Sequence, residues 1–212
     1  MRPIAIVIPT AGIKDADAVG ARACETAGVE TLLIISRDPE ATGFSRTINR
    51  GWVQVPDGYD ALLLNDDVAG FYPGWLAELQ EAMYSREDIG IIGPSGDCAT
   101  APIDTWEMGD GTGIVSVRHF PFFCTLIRRE CFEELGMLDE RYIHYASDYD
   151  YCDRAHVAGW YVVWCRDVVI DHELNGSEQR HAWAMHDLTL YQRAAQRRKA
   201  EGQWPDPRAL PS

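Results

Sequence analysis

Three near-continuous apolar runs of strand length, IAIVIP (residues 4–9), TLLIIS (31–36) and DALLLN (60–65), constrain this chain more than any other feature. A strand with one wet face alternates apolar and polar residues, whereas a strand covered on both faces reads as an unbroken apolar run, as in parallel sheets. Parallel neighbours require a crossover between them, usually a helix. Two helix-like stretches fill the intervals: 15–27, closed by Gly28 as a C′ glycine, and 43–53, after the turn at Asp38 and Pro39. The order β-α-β-α-β over about 65 residues predicts a doubly wound α/β sheet.

The remainder continues the pattern. A third helix is expected from Pro73, with Leu76, Leu79 and Met83 at helical spacing, followed by a fourth strand, IGIIGP (89–94). Gly and Asp crowd residues 96–113, which predicts a loop over the ligand. FFCTLI (122–127) reads as a strand, 128–135 as a short helix stopped by Gly136, and a further helix is expected to begin at Ser147 and end before Gly159. YVVWC and DVVID give two more strand-like runs, ending at Asp171. Residues 178–201 are helical in pattern, with Ala184, Leu188, Tyr191 and Ala195 on one face, and an irregular tail follows. With no internal repeat and no linker, residues 1–177 are expected to form one domain, with 178–212 packed on it as a helix and tail.

Composition narrows the partners. At 212 residues and 46% apolar content the chain can bury a real core. The formal net charge of −14 repels nucleic-acid phosphates and anionic membrane surfaces, so extended nucleic acid is a poor partner. A small anion remains admissible, because a bound divalent cation or a helix N-terminus reverses the sign locally. No run approaches the ~18 apolar residues of a membrane span, and the opening run is too short for a signal peptide, so a cytoplasmic location is expected. The six cysteines form no CxxC pair and lie mostly in apolar runs, as small hydrophobes rather than zinc ligands or disulfides.

Three places carry candidate chemistry. In LLLNDDV (62–68) a buried strand ends in Asn65, Asp66 and Asp67, at the carboxyl edge where open α/β sheets bind ligands. Adjacent carboxylates repel unless a cation lies beside them, and Mg²⁺ or Mn²⁺ holding a diphosphate satisfies both; the plainer alternative is a helix cap or turn. In YASDYDYCDR (145–154), Ser147 is placed as an N-cap with Asp148 in the first helical turn, either as cap dressing or as a proton acceptor facing a cleft. The cap position favours the ionised form of Asp148 and tends to lower its pKa. His172, directly after the last strand-like run, is either a satisfied structural histidine or a metal ligand.

Together these segments resemble the GT-A-fold glycosyltransferases of family 2, including the rhamnosyltransferase-like members, over residues 4–177. IAIVIPTAG resembles the opening strand and nucleotide-binding loop, GFSRTINRGWVQVPDGYDALLLNDDV the Gly and Asn-x-Gly segment before the Asp-x-Asp-type motif, and FFCTLIRRECFEELGMLDERYIHYASDYDYCDRAHVAGW the acceptor-side segment. The resemblance implies a GT-A (Rossmann-like) α/β domain with a mixed, mostly parallel sheet flanked by helices. It implies a metal-dependent, inverting transfer of a sugar from a nucleotide-diphosphate sugar to an acceptor hydroxyl. Thr10, Asp38, Asn49, Asn65 and Asp66 would bind the donor, with Asp38 near the base. Asp67 and His172 would hold a divalent cation, Mn²⁺ or Mg²⁺. Asp148 would be the general base, with Asp150 the next candidate, and Arg154 structural or near the phosphates. Ser147 stands where the family carries a Glu, which removes a neighbouring charge from the base.

The chemistry agrees with those roles: a cation stabilises the leaving diphosphate, and one carboxylate deprotonates the attacking hydroxyl. No hydrophobic or basic membrane-binding element is evident, which favours a soluble glycan, protein or small-molecule acceptor. Two rivals stand beside this reading. One is a non-catalytic GT-A-like glycan- or nucleotide-binding protein. The other is a nucleotidyltransferase, against which PTAGIKDADAVGAR offers only Lys14 and Arg22 as basic residues.

Overall fold

Burial explains the apolar runs. The computed structural model describes residues 1–96, 112–172 and 178–203, with the backbone alone for 178–182. Strand β1 (Ile4–Thr10) pairs in parallel with β2 (Thr31–Arg37) on one side and β3 (Asp60–Leu64) on the other. Every residue of β1 and β3 is buried, the pattern of strands covered on both faces, while β2 lies at the sheet edge and is partly exposed. The crossovers are α1 (Ala16–Thr26) and α2 (Phe44–Trp52). Asp15 caps α1, its Oδ1 accepting the Ala18 amide at 3.0 Å, and Gly28 follows at φ +75. Helix α2 lies directly on β1: a Cβ at Gly51 would meet Val7 Cγ1 at 2.4 Å, so only glycine permits this approach.

The chain continues through β4 (Val68–Ala69), α3 (Trp75–Tyr84), β5 (Ile89–Ser95), β6 (Ile114–Ser116), β7 (Cys124–Ile127), α4 (Arg129–Leu135), α5 (Ser147–Val157), β8 (Tyr161–Val169), β9 (Asp171–His172) and α6 (Glu178–Ala200). The large sheet has the order β2-β1-β3-β7-β5-β8-β6. β7 runs antiparallel between β3 and β5, and β6 antiparallel to β8; the other five strands are parallel. The result is a mixed, mostly parallel sheet flanked by helices. The two runs after Gly159 form one strand, β8, whose pairing with β5 shifts register between Pro94–Cys165 and Ser95–Val169, around Arg166 and Asp167 where the apolar pattern is interrupted. β9 leaves that sheet and pairs with β4, setting Val68 opposite His172. Residues 97–111, most of the expected loop, and the tail from 204 lie outside the described residues.

The two ends of β3 show how position decides the role of a carboxylate. Asp60 opens the strand fully buried and accepts bonds from Gln80 Nε2, Tyr84 Oη and the Arg129 amide at 3.0–3.3 Å, so it is a satisfied structural group. At the other end, β1, β2 and β3 deliver Thr10, Asp38 and Asn65 to one edge. Antiparallel β7 starts at the same edge, with Leu64 paired to Cys124, and brings Phe122 and Phe123 there.

Helix α6 packs against α5 largely through the expected face, with Ala195 buried and Ala184 and Tyr191 half-buried, but Leu188 is 39% exposed and the neighbouring Asp187 is fully buried in its place. Among the described residues, no helix is long and apolar enough to cross a membrane.

Candidate active site

A cleft of about 550 Å³ opens at the carboxyl edge of β1, β2 and β3. Its lining includes Thr10, Asp38, Asn65, Asp66, Asp67, Asp148 and His172, residues spread over most of the chain. On the strand-end side they bond to one another. Thr10 Oγ1 donates to Asp66 Oδ2 at 2.5 Å and accepts the Gly12 amide at 2.9 Å. His172 Nε2 lies 3.1 Å from Asp67 Oδ1, and its ring stacks on Phe123 with centroids 4.9 Å apart. Asn65 Oδ1 is buried, accepts no hydrogen bond among the described residues, and belongs to a residue that lines the cleft. Asp38 Oδ2 accepts from the Thr42 amide, Thr42 Oγ1 and Thr47 Oγ1 at 2.6–2.8 Å, and its Oδ1 from Arg50 at 3.2 Å. Burial raises the Asp38 pKa, but Thr47, Thr42 and Arg50 outweigh it and hold the carboxyl below the ordinary range.

Asp148 has the opposite environment. It projects from the first turn of α5, half-buried, with its Oδ1 accepting the Tyr149 amide at 2.9 Å. Desolvation dominates and raises its pKa, against smaller lowering contributions from the Tyr149 amide and the charge of His119. This reverses the lowering expected from the helix end. The expected cap is also corrected: Ala146, left-handed at φ +60, occupies the N-cap position, and no side-chain hydrogen bond caps α5. Ser147 is instead buried within the helix.

A second correction concerns Asn49, which does not line the cleft. Its amide is spent on structure, Nδ2 donating to the Leu138 carbonyl at 2.9 Å and to Glu140 at 3.1 Å, while Oδ1 accepts the Leu138 amide at 3.0 Å. The Asn-x-Gly motif thus reads as architecture: Asn49 clamps the 138–140 turn, Arg50 steadies Asp38, and Gly51 admits β1. Asp150 is held by Arg154, Arg198 and Tyr142, and Arg154 also donates to the carbonyls of Leu135 and Met137. Neither lines the cleft.

Lys14, His144, Tyr145, Phe122 and Phe123 also line the cleft without any local pattern to mark them, and a buried network around His119 lies near Asp148. There, His119 stacks on Tyr149 with centroids 4.6 Å apart, and its Nε2 lies 3.0 Å from Asp153 Oδ1. Tyr191 Oη donates to Asp153 Oδ2 at 3.0 Å, and Arg118 and Arg198 approach the same carboxylate at 3.6 and 3.4 Å. A signal for this network existed in SDYDYCDR, whose carboxylates at helical spacing on a partly apolar helix demand buried cationic partners.

The donor atoms suit a hard or borderline divalent cation: carboxylate from Asp67 and imidazole from His172, with Asp66 adjacent. Among the described residues no three His, Cys, Asp or Glu side chains converge as a preformed metal cluster. Asp67 and His172 would therefore supply only part of a cation's coordination, leaving the remainder to ligand oxygens and water, as is usual for Mg²⁺-type binding with phosphates.

No family model matches the chain. By sequence it is similar to an uncharacterized protein, y4gI, of Sinorhizobium fredii, at 27% identity over 198 residues, which are 82% of this chain and 21% of that protein. The chain thus spans about a fifth of the length of the curated relative it matches. By structure it is similar to the mannosyltransferase PcManGT of Pyrobaculum calidifontis, in complex with GDP-Man and Mn²⁺, with a TM-score of 0.67 at 14% identity, covering 98% of this chain and 66% of that one. Glucosyl-3-phosphoglycerate synthase of Mycobacterium tuberculosis, in complex with Mn²⁺, UDP-glucose and phosphoglyceric acid, gives 0.59 at 12% identity, covering 91% and 79%. TarS 1–349 of S. aureus, in complex with UDP-GlcNAc, gives 0.60 at 11% identity, covering 86% and 61%. The fold is that of the GT-A glycosyltransferases.

Proposed function

We propose that this protein is a metal-dependent, inverting glycosyltransferase that moves a sugar from a nucleoside-diphosphate sugar to an acceptor hydroxyl. One observation carries the reading. A single cleft gathers Asn65, Asp66, Asp67 and His172, with an unpartnered buried oxygen, and the carboxyl of Asp148, whose pKa burial raises. The nucleotide-sugar and Mn²⁺ complexes of the structural neighbours support it.

In this reading Asp38 and Thr10 border the nucleotide, Asn65 and Asp66 its ribose and phosphates, and Asp67 with His172 holds the cation. When bound there, Mn²⁺ or Mg²⁺ neutralises charge developing on the leaving diphosphate. Asp148 receives the proton of the acceptor hydroxyl as its oxygen bonds to the anomeric carbon and the bond from that carbon to the diphosphate breaks. A raised pKa suits this task, because it strengthens the base near neutral pH. The acceptor in this reading is a soluble glycan, protein or small molecule.

A thermal-shift screen of UDP-, GDP- and dTDP-sugars with and without Mn²⁺ tests the reading, since a ligand raises apparent stability by mass action. One donor series should raise the melting temperature, more with Mn²⁺ than with EDTA. Absence of any shift across the series would remove the nucleotide-sugar assignment. A donor that binds but is neither transferred nor hydrolysed would favour the non-catalytic reading.

A further inference from the structure

The buried face of α6 carries a carboxylate where an apolar residue would be expected. Asp187 is fully buried. Its Oδ2 accepts three successive backbone amides, Ile143 at 3.1 Å, His144 at 2.8 Å and Tyr145 at 2.9 Å, and its Oδ1 lies 2.8 Å from His186 Nδ1. Successive amides converging in this way form an anion nest, here filled by a side chain of the same protein. Burial raises the Asp187 pKa, but the His144 amide, the His186 ring and the amides of Tyr145 and Ile143 outweigh it and keep the carboxyl ionised.

The segment so held borders the cleft. His144 and Tyr145 line it. The next residue, Ala146, adopts the left-handed region at φ +60, a conformation that persists in a non-glycine residue only where its surroundings impose it. Helix α5 then begins without a side-chain cap and presents Asp148. On the other side, the Ile143 carbonyl accepts the Phe44 amide at 2.6 Å, so the segment is gripped between α6 and the start of α2. An apolar residue at position 187 would leave three amides unpaired, a heavy cost for buried donors.

We infer that Asp187 is a positioning residue for transfer: by holding the backbone of 143–145 it fixes the wall formed by His144 and Tyr145 and the point from which α5 presents Asp148. This inference rests on the glycosyltransferase reading above. It predicts a separation that a purely stabilising residue would not give, because donor binding depends on the strand ends and acceptor attack on the 143–148 segment. A misplacement near 1 Å is enough for a large rate loss.

The test compares wild type, Asp187→Asn and Met83→Ala, the last a buried change in α3 that lowers stability away from the cleft. All are assayed well below their melting temperatures. Asp187→Asn should keep donor affinity within about twofold, lower kcat by about tenfold or more, raise the acceptor KM, and speed deuterium exchange at 143–145. Met83→Ala should lose melting temperature alone. Kinetics of Asp187→Asn that match Met83→Ala, or fast exchange at 143–145 with unchanged transfer, would overturn the inference. If Asp187→Asn fails to fold, native-state exchange of the wild type in mild urea decides: the 143–145 amides should open in the same step as α6, and amides that stay protected after α6 opens contradict the clamp. Wild-type protein that transfers no sugar would defeat the functional reading itself, and that result is seen before any variant is made.

Discussion

The two sides of the cleft are built by different means. On the strand-end side, Thr10, Asn65, Asp66 and Asp67 lie at or just past the ends of buried strands, and short bonds such as Thr10–Asp66 and Asp67–His172 tie them together. The sheet itself is the template. On the α5 side, the helix that carries Asp148 and the segment before it are held by groups from residues 119, 153, 187, 191 and 198, among which Asp153 and Asp187 are fully buried carboxylates. Such a network holds its shape only while every member is satisfied. Function and stability should therefore separate on the strand-end side and be entangled on the α5 side.

The sharpest way to break that contrast is Asp153→Asn. It removes a fully buried charge that faces His119, Arg118, Arg198 and Tyr191, and breaking such a network from one side costs about 3 kcal/mol. Burial raises the Asp153 pKa, but His119 and Arg118 outweigh it and the net shift is downward. A depressed folded pKa gives stability that is present above the unfolded value and lost as pH falls through the folded one. Urea unfolding should show the deficit of the variant at pH 7 and its shrinkage below about pH 4.

Asp148→Asn should leave the fold and donor binding intact and cut transfer by roughly 10² or more, the scale of general-base loss. Its stability effect has the opposite sign to that of Asp153. A raised folded pKa means the ionised carboxylate is a burden above the unfolded value. The variant should therefore resist urea better than wild type at pH 7, and the two should coincide below about pH 3. Equal or lower stability at pH 7 would contradict the burial of Asp148.

On the strand-end side, Asp67→Ala should lower nucleoside-diphosphate affinity about tenfold in calorimetry with Mn²⁺ present, an effect of about 1.4 kcal/mol, while its urea midpoint moves little. A large stability loss there would erase the contrast between the two sides. The smallest effect belongs to Ser147→Ala. Because Ala146 occupies the N-cap position, the change should cost less than the ~1 kcal/mol of a lost cap.

The same contrast explains what could be read from the sequence. The buried strands announce themselves as unbroken apolar runs, so the central sheet and the strand-end residues Asn65, Asp66 and Asp67 follow from local pattern. Asp148 was found by its place in a helix start and by family resemblance, but its pKa direction depends on tertiary desolvation, which local pattern does not carry. Asn49 was assigned to the donor by family resemblance alone, whereas its partners Leu138 and Glu140 lie far along the chain, where local pattern does not reach. Asp187 left a trace: it falls between Ala184 and Tyr191 on the apolar face of the last helix, where an unpaired carboxylate could not be buried. The short strands β4 and β9 are too brief for any periodicity to reveal, yet they bring His172 to Asp67.

The central claim is that the strand-end side holds a nucleotide diphosphate through a shared divalent cation. Calorimetric titration of the wild-type protein with the nucleoside diphosphate selected by the thermal-shift screen, in Mn²⁺ and then in EDTA, tests it most directly. The account predicts one-to-one binding in Mn²⁺ and an affinity at least about tenfold weaker in EDTA, because two protein ligands alone leave most of the coordination to the phosphates. Equal affinity in both buffers, or no binding in either, would contradict it.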